Sequence, residues 1–245
     1  MKIAKIIKKI NSEKYDYIKT DIESFDQEWN GLRIGDLSVF AERPAMGATS
    51  LFCSFAKNIS KRNIPVLFIT NDKRDTIQRM ISLEIGHFIK APPYPLIDLP
   101  IDIEDMFIFD LKRLKNIIQN TLAKVIFIDL FILGNINEEK IKYLKNIANE
   151  KKIAILLLAY LPPEIDNRKN KHPKISDLSD RSYQRGIIKN VDLIFLLYRE
   201  NYYKFLENKP KSEINELEIF EAKHILGFYS YFKITKNLEV VSFYD

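Results

Sequence analysis

Six runs of nearly unbroken apolar residues, spaced by stretches of helical periodicity, restrict this chain to few folds. The runs are LSVFA (37–41), VLFIT (66–70), MFIFD (106–110), VIFIDLFIL (125–133), IAILLLAYL (153–161) and LIFLLY (193–198). A strand apolar along its whole length is buried on both faces, which happens when helices cover both sides of a parallel sheet. Helical patterns do lie between the runs: TSLFCSFAKNISKR (49–62), DTIQRMISLEIGHFIK (75–90), LKRLKNIIQNTLA (111–123) and EEKIKYLKNIANEKK (138–152). The last segments, LEIFEA (217–222), YSYFKIT (229–235) and LEVVSFY (238–244), alternate instead. They predict antiparallel strands at one edge of the sheet. The fold class is therefore α/β, a mostly parallel sheet flanked by helices with an antiparallel C-terminal extension.

Composition removes several function classes. One cysteine, Cys53, in 245 residues excludes a disulfide framework and a cysteine-based zinc site, and predicts a reducing, cytoplasmic setting. No apolar run approaches the roughly 18–20 residues of a membrane span, so no membrane partner is expected. A net charge of +5 suits a nucleic-acid partner but also an ordinary lysine-rich surface. At the N-terminus Ile3, Ile6, Ile7 and Ile10 recur at helical spacing with lysines opposite, so residues 1–17 read as a linker-like amphipathic helix and 18–245 as one domain. The long irregular stretch from Pro162 to Ser182 has the length of a functional loop.

The segment VFAERPAMGATSLF, Val39 to Phe52, puts a glycine turn between an expected strand and an expected helix. Such a turn binds phosphate through backbone N–H groups and the positive end of the helix. The pattern G-x-x-x-x-G-K-[ST] adds a lysine for the phosphates and a hydroxyl for magnesium. Here its four defining positions hold Glu42, Gly47, Ala48 and Thr49, so the first glycine and the lysine are replaced. The residues offered to a nucleotide are Arg43, Gly47, Ala48, Thr49 and Ser50. A plain helix entry, with Thr49 in the first turn, explains them equally well.

Two separated blocks carry a resemblance to the motor domain of bacterial replicative helicases, the DnaB family. In the first, Phe25, Asp26, Gly31, Leu32, Gly35, Asp36, Leu37, Arg43, Pro44, Met46, Gly47 and Thr49 fall in register with the run that leads into the family's phosphate loop. In the second, Pro173, Ser176, Asp177, Leu178, Ile187, Asp192, Tyr198, Arg199, Tyr202 and Tyr203 match, with about three extra residues between. The resemblance covers roughly residues 18–245. It implies a RecA-like fold, self-association into a ring that is hexameric in the family, and ATP held between subunits.

The resemblance also implies a role for particular positions. The family's phosphate lysine stands at Ala48 and its magnesium-associated hydroxyl at Thr49. The water-polarising acid maps near Asp72, the metal-associated acid of the central strand to Asp129, and a catalytic-site lysine to Lys223. The γ-phosphate sensor glutamine is Tyr160, and the arginine that reaches the next subunit's phosphate is Ile225. Plainer roles exist: Asp129 binding backbone amides, Lys223 as a strand surface lysine, Trp29 as a packing anchor. If nucleotide binds, Thr49 and Asp129 hold its magnesium; the replacements predict no resident cofactor and an inactive ATPase.

In the family a channel-facing loop threads single-stranded DNA. The corresponding stretch carries Arg168, Lys169, Lys171, Lys174, Arg181 and Arg185, the cations that phosphate neutralisation requires. Asp166, Asp177 and Asp180 dilute them, and Tyr183 is the one aromatic among them for base stacking. Three functions stay open: a DNA-binding or helicase-associated subunit in DNA replication, an active ATP-dependent DNA helicase, and a protein-interaction module without ligand.

Overall fold

The computed structural model describes residues 16–85, 98–107, 110–129, 137–178, 188–210, 216–223 and 231–235. The expected N-terminal helix, the strand LEVVSFY, and the positions Arg181, Tyr183, Arg185 and Ile225 lie outside the described residues. In chain order the strands are β1 (Tyr17–Ile18), β2 (Leu32–Arg33), β3 (Leu37–Glu42), β4 (Val66–Thr70), β5 (Ile101–Asp105), β6 (Val125–Asp129), β7 (Ala154–Tyr160), β8 (Leu193–Tyr198), β9 (Glu216–Lys223) and β10 (Tyr231–Thr235). The helices are α1 (Glu23–Trp29), α2 (Ala48–Ser60), α3 (Lys73–Ile85), α4 (Leu111–Asn120), α5 (Glu138–Lys151) and α6 (Glu200–Leu206).

Eight strands form one sheet in the order β10-β9-β8-β3-β7-β6-β4-β5. From β8 to β5 every pair is parallel, and β9 and β10 extend the sheet antiparallel beyond β8. This is the mostly parallel α/β arrangement that the alternating runs predict and the RecA-like fold that the resemblance implies. One strand sits elsewhere than expected. The edge strand is Ile101–Asp105, in register with β4 from Val66↔Ile101 to Thr70↔Asp105, not the run Met106–Asp110. Phe107 is exposed, and the Asp110 carboxylate instead caps α4 by accepting from the backbone N–H of Lys112 and Arg113. A helix cap outcompetes a strand at that position.

The pleat sorts the core into two layers. Side chains alternate across a strand, so Leu37, Val39 and Ala41 of β3 share one face with Ile126, Ile128, Ile155 and Leu157. Leu114 and Ile118 of α4 and Ile141 and Leu144 of α5 cover that face. The opposite face carries Phe40, Phe68, Phe127 and Phe195 and is covered by α2 through Leu51, Phe52 and Phe55. Phe25 of α1 joins this aromatic layer, with its ring centroid 5.0 Å from Phe55 and 5.9 Å from Phe195. Trp29 packs edge-on to Phe195 at 5.0 Å and donates its indole N–H to Glu221, which makes it the packing anchor expected.

The N-terminal β1–β2 pair depends on a close backbone approach where the chain passes from α1 into β2. Gly31 has φ of +99°, and a Cβ there would stand 2.4 Å from the Ile18 carbonyl oxygen. Only glycine fits this close approach. Gly31→Ala is expected to destabilise the domain by about 2–4 kcal/mol, combining a left-handed backbone with a backbone clash. A thermal unfolding midpoint equal to that of the unmodified chain would show that the β1–β2 pair is not part of the cooperative unit.

Candidate functional site

Strand parity assembles the site. On β3, Glu42 follows Phe40 by two residues and so faces α2; on β6, Asp129 follows Phe127; on β7, Tyr160 follows Leu158; on β4, Thr70 follows Phe68. Register puts Glu42 opposite Tyr160 and Thr70 opposite Asp129. Four polar side chains thus gather at the carboxyl ends of adjacent strands, beside the N-terminus of α2. In open α/β sheets this is where ligands bind.

The loop from Arg43 to Gly47 closes against this group. Ala45 and Gly47 have φ of +68° and +113°, and α2 begins at Ala48. Met46 is fully buried, with its Sδ 3.3 Å from the backbone nitrogen of Arg199. The first-turn N–H groups of a helix have no partner inside it. One of them, on Ala48, donates 2.7 Å to Oε2 of Glu42, a side chain only 2% exposed. Thr49 donates its hydroxyl to Asp129, which is 5% exposed.

The electrostatics follow from burial. Burial raises the Glu42 carboxyl to about 8 and Asp129 adds to this, against the Ala48 N–H bond and the charges of Arg199 and Arg79. Burial likewise lifts Asp129 to about 6, against the Thr49 bond and Arg79. Tyr160 is pushed upward by burial and by the charges of Asp129 and Glu42. The sequence signalled none of the part played by Arg79 of α3. Its i, i+4 pairing with Asp75 was the only available trace, at 2.5 Å in the structure.

Other expected site residues have structural employment. Arg43 donates to Asp166 at 2.8 and 3.1 Å and to the Leu161 carbonyl at 2.8 Å, so its guanidinium braces the loop. Asp72 caps α3: its carboxylate accepts from the Asp75 N–H at 2.8 Å. Lys223 lies at the other end of the sheet, level with Ile194, where its ammonium donates to the carbonyls of Ile188 and Val191. Burial lowers its pKa. Ser50 is buried in the first turn of α2 and accepts through its carbonyl from Ser54.

The basic stretch divides. Arg168 makes two bonds to Asp177, at 3.0 and 2.6 Å, and Asp177 is 1% exposed. Lys171 pairs with Glu207 and lies over the Tyr203 ring, 4.9 Å from its centroid. Both are held by acids of the chain, whereas Lys169 and Lys174 stand exposed. Aromatic rings that sequence order separates from these cations are brought beside them. His172 stacks on Tyr198 at 4.0 Å and Tyr198 on Tyr203 at 5.5 Å. These rings line a hollow of about 530 Å³ with Lys169, Lys204 and Lys209.

The comparisons bear on both regions. The family described as DnaB-like helicase C terminal domain matches residues 17–90 and 97–245. The chain belongs to that family. The "Probable replicative DNA helicase" of Trieres chinensis is 25% identical, over 92% of this chain and 56% of its own length. The replicative DNA helicase DnaB of Geobacillus stearothermophilus is 23% identical, over 86% and 52%. The chain thus spans about half the length of these relatives. Among solved structures, one described as an ATPase domain superposes with a TM-score of 0.70 at 21% identity, covering 94% of this chain and 92% of that one. A DnaB-like replicative helicase, solved to describe its interactions with primase, gives 0.72 at 20%, covering 94% and 64%. These structures confirm the fold. No helix among the described residues is long and apolar enough to cross a membrane.

A pH dependence follows from the two buried acids. Each binds its proton more tightly folded than unfolded, so the contribution of this pair to stability is greatest at low pH and falls as pH rises. The Asp129 part is lost between roughly pH 4 and 6, and the Glu42 part continues to about 8. Between pH 6 and 8 the unfolding free energy is expected to fall with a slope approaching about 1.4 kcal/mol per pH unit from Glu42. Glu42→Gln should remove that contribution. Equal slopes for the two proteins in denaturant titrations would refute the burial-driven shift.

Proposed function

We propose that this chain is a DnaB-family subunit that acts in DNA replication without turning over ATP, by binding single-stranded DNA or by joining and regulating a replicative helicase. One observation carries the reading: the phosphate loop presents no cation at Ala48 and instead faces two buried acids, Glu42 and Asp129. This set of groups does not fit a nucleoside triphosphate. Losing the lysine forfeits a charged hydrogen bond of about 1.5–3 kcal/mol, and a carboxyl in its place displaces or repels phosphate. Absence of an arginine finger typically costs about 10³–10⁵ in rate. Ile225, the residue at that family position, carries no charge. Arg79 and Arg199 do lie near the site, but their charge bears on Glu42.

A second reading, an active ATP-dependent helicase, draws on the Thr49–Asp129 bond, the pair that would hold magnesium. Calorimetry with ATP, ADP and magnesium, followed by ATPase assays with and without single-stranded DNA, separates the two. No affinity tighter than millimolar and no turnover are expected. DNA-stimulated turnover would overturn the proposal in favour of the helicase.

For DNA, the exposed Lys169 and Lys174 supply charge, and the half-exposed His172 ring, backed by the buried Tyr198, supplies a stacking face. The relatives named above are replicative helicases, and one solved relative was studied with primase. Ring formation and such partners are extended to this chain as part of the same proposal. Affinity for an oligo-dT strand is expected to fall steeply with salt. The double variant Lys169→Ala, Lys174→Ala should reduce the slope of log affinity against log salt by about 1–2. No measurable binding at low salt would leave the helicase-associated role alone standing.

A further inference from the structure

We propose that Glu42 is a resident ligand of the phosphate loop: its carboxyl group takes the place of a phosphate and holds the loop in a bound shape with no nucleotide. The inference rests on the reading above, that the site does not turn over ATP, and adds what occupies it. The side chain departs from the last position of β3 on the face of α2, so the pleat itself aims it under the loop. It reaches the Ala48 N–H at 2.7 Å, one of the orphan donors at a helix start that bind anions elsewhere. At 2% exposure it is sealed in, beneath a loop whose Ala45 and Gly47 are held at positive φ and whose Met46 is buried.

The groups facing Glu42 come from every element around it. Arg79 reaches in from α3 with Asp75 as its pair, and Asp129 from the end of β6. Tyr160 stands opposite on β7, and Arg199 follows β8. The two guanidinium groups favour its ionised form, while burial and Asp129 favour the neutral acid. Either form occupies the cradle: the neutral acid still accepts from Ala48, and the carboxylate also repels an incoming anion. A change of pH therefore does not vacate the loop.

The test compares the unmodified chain with Glu42→Gly, Glu42→Asp and Glu42→Gln. Backbone hydrogen exchange of the peptide spanning Gly47 to Ser50 is followed, together with calorimetric binding of magnesium pyrophosphate. Glu42→Gln keeps an acceptor of the same reach and should retain the slow exchange. Glu42→Gly, and Glu42→Asp one methylene shorter, should exchange at least tenfold faster. Glu42→Gly should also bind pyrophosphate at least tenfold more tightly than the unmodified chain and regain protection when it does. If Glu42→Gly fails to fold, Glu42→Asp carries the exchange comparison. Exchange unchanged in both shortened variants, or pyrophosphate bound as tightly by the unmodified chain as by Glu42→Gly, would overturn the inference. Turnover by the unmodified chain would instead remove the reading on which it rests, so the two failures are distinct.

Discussion

The Ala48 N–H to Glu42 hydrogen bond joins the end of the central strand to the start of the helix that covers it. A helix start buried without a partner for its amides is costly, because each unmet donor loses its hydration. Water, an anion or a side chain can meet that need. In this chain a side chain from the preceding strand does so, and the aromatic layer beneath α2, from Phe40 to Phe127, packs against a helix whose origin is thereby fixed. The left-handed backbone at Ala45 and Gly47 and the burial of Met46 belong to the same closure.

Burial also changes what the site is chemically. Sites for triphosphates concentrate positive charge. This one concentrates acids whose protons are held tightly, with arginines at a distance sufficient to temper them. The Thr49–Asp129 bond persists because a buried carboxyl requires a donor whether or not a metal is nearby. The plainer role considered for Asp129 from sequence was a bond to backbone amides; the donor that stands beside it is the Thr49 hydroxyl.

Much of the architecture was legible because it rests on periodicity. The helices Ala48–Ser60 and Glu138–Lys151 end within two residues of the runs 49–62 and 138–152 that apolar spacing marks out, and the strand Leu193–Tyr198 coincides with its run. The β5 edge was misplaced because IDIED carries alternating acids on a half-open strand, while MFIFD shows the stronger apolar signal. At the site, the substitutions at 42 and 48 were visible, and a carboxylate at 42 would repel phosphate if it pointed inward. Sequence could not show that it does, since strand parity near a loop depends on where the strand ends. Nor could it show that Arg43, Arg168 and Lys171 are claimed by Asp166, Asp177 and Glu207, partners 123, 9 and 36 positions away.

The Arg43 brace has a wider meaning for how this edge meets anything else. Asp166 accepts from both Arg43 and Tyr203, and Arg43 also grips the Leu161 carbonyl. The segments after β3 and β7 and the helix after β8 are thus cross-tied at one carboxylate. Their conformational freedom has been surrendered during folding. A strand of nucleic acid or a neighbouring protein that settles here finds a preorganised rim, and association need not order it again.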